Sequence, residues 1–218
     1  MVDQMLTCER PWLTDFATIF AHMWYRDFPL QRSLREKAQP ADWTTHIGIA
    51  VRSTADLLGL FTHFESGART DAVLRDSKGA IAILEWEWKA LHRGDAIITE
   101  FKKLKDRCAR DDLSGVRFAG LIGYARQTSA RARDDYTMLS ASVLEGYTER
   151  WEKQLPPLLL VMIHFKGIQK DESRQRRQFE DMEFYGIEGG SRVLLRKQKA
   201  FPWDVSGSRW AKETENAS

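Results

Sequence analysis

RTDAVLRDSKGAIAILEWEWK, residues Arg69–Lys89, is the stretch whose reading decides the fold. Two runs rich in apolar and β-branched residues flank Asp76-Ser77-Lys78-Gly79, a tetrapeptide with strong turn chemistry, so the stretch predicts a β-hairpin. Side chains alternate between the faces of a strand. In the second strand Ile81, Ile83, Glu85, Glu87 and Lys89 therefore share one face, and Ala82, Leu84, Trp86 and Trp88 the other. The first of these faces begins apolar and ends charged. Two carboxylates and an ammonium gathered at a strand end, with Asp71 on the neighbouring strand, form an arrangement suited to a metal ion.

On the N-terminal side, Ile47, Ala50, Val51 and Leu58 recur at helical spacing after Asp42, and Gly59 stands where a left-handed cap is expected. Leu60–Glu65 then reads as a short strand, closed by the Ser66-Gly67 turn. On the C-terminal side, Gly94 and Asp95 start a helix with Ile97, Phe101, Leu104 and Cys108 on one face. Lys102, Lys103 and Arg107 lie on its opposite face, expected to meet solvent. Val116–Tyr124 is apolar enough for a strand buried on both sides. The order predicted from Thr44 to Tyr124 is α-β-β-β-α-β.

Beyond it, Tyr136, Leu139, Val143, Tyr147 and Trp151 mark another helix. Pro156 and Pro157 end it, and Leu158–Phe165 reads as a further buried strand. Phe179–Ile187 and Arg192–Lys199, joined at Glu188-Gly189-Gly190, predict a C-terminal hairpin. Before the core, Pro11–Met23 predicts a helix with Trp12, Phe16, Ile19, Phe20 and Met23 on its buried face. The fold class is thus α/β, in a single domain: a core over about 44–165, an N-terminal helical extension over 11–38, the hairpin over 178–199 and a polar tail over 206–218.

The 218 residues are 43% apolar and 29% charged, with eight Trp, an ordinary composition for a globular chain. Lys and Arg number 33 against 31 Asp and Glu, so an anionic partner has to be met by a local patch and not by a global field. Cys8 and Cys108 are far apart and no histidine has zinc-ligand spacing, which argues against a structural zinc site. The two thiols and the lack of a long apolar run predict a soluble, cytoplasmic protein.

Phosphodiester hydrolysis needs a metal that polarises the phosphate and activates water, and Mg²⁺ prefers carboxylate and carbonyl oxygens. Asp71 and Glu87 can supply two carboxylates and the backbone carbonyl of Trp88 a third oxygen. Lys89, about 6–7 Å along the strand from Glu87, can hold the attacking water or neutralise the transition state. Glu85-Trp86-Glu87 is a competing frame, in which Glu85 and Glu87 form the active pair. Glu65, Asp76 and Arg75 are further candidates nearby. No Gly-rich phosphate loop or serine nucleophile elbow is present.

Asp71, followed sixteen residues later by Glu87-Trp88-Lys89 in an α-β-β-β-α-β order, resembles the PD-(D/E)xK nuclease superfamily, with the restriction-endonuclease-like fold. Thr70 stands where the family name has Pro, and some members carry Glu in place of the Lys. The resemblance covers about Thr44 to Tyr124. It implies an αβββαβ core with a mixed sheet flanked by helices, Mg²⁺ as cofactor, DNA as substrate and often a homodimer. Phosphate contacts are then expected from Arg126, Arg131 and Arg133 or from Lys102 and Lys103. A nuclease-like fold that binds DNA or protein without cutting is the alternative.

Overall fold

A computed structural model describes residues 11–26, 28, 40–66, 70–90, 94–110, 115–127, 144–169, 175–202 and 205–206. It is a mixed α/β structure. The helices α1 (Pro11–Arg26) and α2 (Pro40–Leu57) precede the strands β1 (Phe61–Ser66), β2 (Thr70–Arg75) and β3 (Ala80–Ala90). Helix α3 (Gly94–Cys108) leads to β4 (Phe118–Gln127), and α4, helical over the described residues 144–150, leads to β5 (Leu158–Gln169). A hairpin of β6 (Gln175–Glu188) and β7 (Ser191–Lys199) follows.

The seven strands form one sheet in sequence order. β3, β4 and β5 run parallel, and the remaining neighbours are antiparallel. Parallel neighbours need crossovers, which are the segments carrying α3 and α4. The order helix, three hairpin-linked strands, helix, strand matches the reading of Thr44–Tyr124, and β4 is buried from Phe118 to Tyr124 as expected of a strand covered on both faces.

Each face of the sheet has its own core. Phe16, Phe20 and Trp24 of α1 and Trp43, Ile47 and Val51 of α2 pack with Ala82, Leu84, Ile122 and Val161 on the first face. Phe101 and Leu104 of α3 and Leu144, Tyr147 and Trp151 pack with Val73, Ile83, Leu121 and Leu160 on the second. The buried stripe of α1 is Leu13, Phe16, Ala17, Phe20, Ala21 and Trp24, turned from the expected one so that Ile19 and Met23 are only partly covered. Trp24 explains the rotation: its Nε1 donates to the Ala200 carbonyl at 2.7 Å, tying α1 to the residue after β7. Far from being an appendage, α1 completes the first core.

The β2–β3 register carries one irregularity. Leu74 pairs with Ala82 but Arg75 with Ala80, so Ile81 is an extra residue on β3. The bulge resets the alternation, and Ile81 packs in the first core while Ile83 packs in the second. The expected placement of Ile81 on the face of Ile83 and Glu85 is corrected accordingly.

Candidate metal centre

Ladder pairs between β2 and β3 run to Ala72–Leu84, and extending that register by one step sets Asp71 opposite Glu85, the two carboxyls within hydrogen-bonding reach. Directly opposed residues project to the same face. That face is the one α3 covers, since Val73 and Ile83 immediately beneath pack in the second core. Asp71 also completes the backbone pairing, because its Oδ2 accepts the Trp86 N–H at 2.8 Å. A side chain thereby satisfies a donor at the point where the two strands part.

Glu85 is 0% exposed. Its Oε2 accepts from Lys103 Nζ of α3 at 2.7 Å, and Lys103 also reaches Glu100 Oε2 at 3.2 Å. Glu85 Oε1 is buried without an N–H or O–H donor. The Glu85 carboxyl is within hydrogen-bonding reach of that of Asp71. Burial pushes Glu85 up to about 8, the Lys103 hydrogen bond opposing and the Asp71 charge reinforcing the rise. Asp71 is raised as well, first by burial, with the Trp86 N–H and Lys103 acting against it. For Lys103, burial favours the neutral amine, but the bonds and charges of Glu85 and Glu100 outweigh it and raise the group, so the ammonium persists.

The other sequence candidates distribute differently. Glu87, partly exposed, pairs with Gly123 of β4, and regular pairing from Leu84 to Glu87 keeps it on the face of Glu85. Beyond it the ladder passes from Glu87–Gly123 to Ala90–Tyr124, so β3 advances three residues while β4 advances one. Trp88 and Lys89 fall within this irregularity, and the strict alternation that assigned Lys89 to the face of Glu87 stops there. The side chains of Trp88 and Lys89 lie outside the described residues, as does that of Arg126; Arg131 and Arg133 lie outside them entirely.

Lys102 is exposed, 3.9 Å from Asp106. Lys103 and Arg107 do not form the expected solvated face. Lys103 is 24% exposed against Glu85, and Arg107 is 5% exposed with Nε donating to Thr70 Oγ1 at 3.0 Å. The reason is the breadth of the α3 contact, an arc that reaches past Phe101 and Leu104 to cover the ends of β2 and β3. Asp76 is a turn residue, its Oδ1 accepting from the backbone N–H groups of Lys78 and Gly79 at 2.7 and 2.9 Å. Glu65 is exposed and has a left-handed backbone, φ 49°.

A divalent cation fits the Asp71–Glu85 pair on one observation, the buried Glu85 Oε1 that no donor satisfies. Among the described residues no group of three or more His, Cys, Asp and Glu side chains converges as a ligand set. A cation there would rest on two carboxylates with backbone oxygen and water, a donor set Mg²⁺ accepts. Sequence reasoning located Asp71 and Glu85 but not the contact of Lys103 with Glu85. Its only sequence signal was the phase of α3, three residues from Glu100 and four from Arg107.

A second polar cluster lies on β5, β6 and β7. His164 Nε2 is 3.0 Å from Glu183 Oε2, which Tyr185 also approaches at 2.9 Å, and Lys197 Nζ binds Glu183 Oε1 at 2.7 Å. Burial works to raise Glu183, but the bonds from His164, Lys197 and Tyr185 prevail and hold it at about 2. No helix among the described residues is long and apolar enough to cross a membrane.

No family model matches the chain, and no curated protein matches it. Among solved structures it is similar to the YaeQ protein from Xanthomonas axonopodis pv. citri, at 14% identity over 68% of this chain and 76% of that chain. The TM-score is 0.26, a likeness too slight to carry an argument.

Proposed function

We propose that the protein is a Mg²⁺-dependent nuclease that hydrolyses phosphodiester bonds in DNA, on a core of the restriction-endonuclease-like kind. What supports this is the facing pair of Asp71 and Glu85 across β2 and β3, with one buried carboxylate oxygen left without a donor. A buried acidic pair stabilises a fold less than an apolar pair of the same volume, so its presence here favours a role for the two carboxyls beyond packing. On this reading the acidic pair is Asp71 with Glu85, in place of the Asp71–Glu87 pair that the sequence spacing suggests.

When bound, Mg²⁺ supplies Lewis acidity to the phosphate and to water. Asp71 and Glu85 would hold it, and the Trp86 N–H, which donates to Asp71 Oδ2, would keep that carboxylate oriented. In the reaction the oxygen of water bonds to phosphorus and the phosphorus–oxygen bond to the leaving nucleotide breaks. One water proton passes to solvent, and the leaving oxygen takes a proton from solvent. Glu87, on the same face two residues further along β3, would accept a hydrogen bond from the entering water. Duplex DNA is the substrate class, with phosphate contacts from Lys102, Arg126, Arg131 and Arg133, and a homodimer presents two such sites.

The test is cleavage of supercoiled plasmid by the purified chain with Mg²⁺, with Ca²⁺ and with chelator. Nicked or linear product that requires Mg²⁺, and that Asp71→Asn and Glu85→Gln each abolish, is expected. DNA binding with no product under any metal would replace the nuclease by a non-cleaving module.

A further inference from the structure

Helix α3 brings to the site a cation that the motif spacing does not suggest. Lys103 sits on α3, eighteen positions from Glu85, yet its ammonium is 2.7 Å from Glu85 Oε2 and 3.2 Å from Glu100 Oε2. Glu85 therefore uses one oxygen for Lys103 and leaves the other without a donor. With Oε2 held by the ammonium, Oε1 is the oxygen that would be left to hold a metal.

Three features favour this ammonium for contact with a substrate. Lys103 is 24% exposed, so solvent and a phosphate can reach it, whereas Arg107, one turn along α3, is 5% exposed and engaged by Thr70. Glu100 lies one turn earlier on the same helix and fixes the Lys103 side chain from below. Lys103 has three N–H donors and two carboxylate partners, so one donor is available.

We infer that Lys103, delivered by α3, is the catalytic ammonium of the proposed nuclease, donating to a non-bridging oxygen of the scissile phosphate and offsetting the charge gained in the transition state. The inference rests on the nuclease reading. Lys103 stays protonated throughout and transfers no proton. On this reading the chemical step depends on Lys103 more than on Lys89.

The experiment compares the full chain with Lys103→Ala, Lys103→Arg and Lys89→Ala by single-turnover cleavage of plasmid in Mg²⁺. Ca²⁺ binding by calorimetry and thermal melting are read on every protein. Expected is a loss of about 100-fold or more in the cleavage step for Lys103→Ala, the scale for removing one charge-stabilising donor. Ca²⁺ binding and cooperative melting should persist in that variant. Lys103→Arg, which keeps the charge and the Glu85 contact, should recover part of the rate and guards against a folding defect. Lys89→Ala should lose far less of the cleavage rate than Lys103→Ala. Cleavage by Lys103→Ala at the wild-type rate, or a collapse confined to Lys89→Ala, overturns the assignment while leaving the nuclease reading intact. A wild-type chain that binds Ca²⁺ and cleaves nothing in Mg²⁺ overturns both.

Discussion

Glu85 concentrates the conflict between stability and site chemistry. An isolated carboxyl has a value of 4.5, and burial at this position raises it to about 8. Between those two pH values the folded chain retains a proton that the unfolded chain has released. The contribution of this group to stability therefore falls as pH rises across that window. Glu85→Gln removes the titration yet keeps an oxygen to accept from Lys103. The variant should melt with wild type at pH 5 and above it at pH 8, by on the order of 1 kcal/mol or about 2–4 °C for a chain of this size. Thermal melts at the two pH values check this, and an equal or lower melting point at pH 8 contradicts it. Asp71 was legible in the sequence because a lone acid in an apolar strand opposite an acid-rich strand end has few structural uses. Glu85 was legible only as one of two frames. Choosing between them needs the cross-strand register, which the Ile81 bulge alters by one residue.

At the level of elements, the hairpins and helices follow from turn chemistry and periodicity, and the αβββαβ order could be read from them. What could not be read was which arc of α3 meets the sheet. Apolar positions alone placed Lys103 and Arg107 outward, but α3 lies over polar strand ends as well as apolar ones, and there a lysine stem and a guanidinium are the packing surface. Close approach of β3 and β4 holds the strand carrying Glu85 in place. A Cβ added at Gly120 would come 2.2 Å from Leu84 Cδ2, and Leu84 is fully buried beside Glu85. Gly120→Ala should destabilise by about 1–3 kcal/mol, as overpacked cores do. Urea unfolding measures this, and an unchanged midpoint would show that Leu84 has room to turn. Toward the other edge of the sheet, burial works to raise Glu183, but His164, Lys197 and Tyr185 hold it at about 2. Its ordinary value is 4.5, so its stabilising effect is complete above that and is lost as pH falls toward 2. Glu183→Gln should accordingly lower stability at pH 7 by on the order of 1 kcal/mol, reduced from the full shift because Lys197 is half exposed. The difference from wild type should shrink in acid unfolding near pH 3.

Across the whole molecule, the two cores divide the labour between a scaffold and a site. The first face, closed by α1 and α2, is aromatic and apolar around Trp24, Trp43 and Phe28. The second, under α3 and α4, changes from apolar to charged toward the ends of β2 and β3, where Asp71, Glu85 and Lys103 meet. In open α/β sheets ligands collect beyond the carboxyl ends of parallel strands, and Glu85 and Glu87 lie toward that end of β3. With a formal net charge of only +2, the DNA binding proposed for the chain would depend on local cations, and its affinity should fall steeply with salt. The central claim is that Asp71 and Glu85 together hold a divalent cation. Calorimetric titration of Ca²⁺ into wild type, Asp71→Asn, Glu85→Gln and Glu87→Gln tests it most directly. The account predicts binding by wild type and Glu87→Gln and none by the other two; undiminished binding by Glu85→Gln, or loss only in Glu87→Gln, would contradict it.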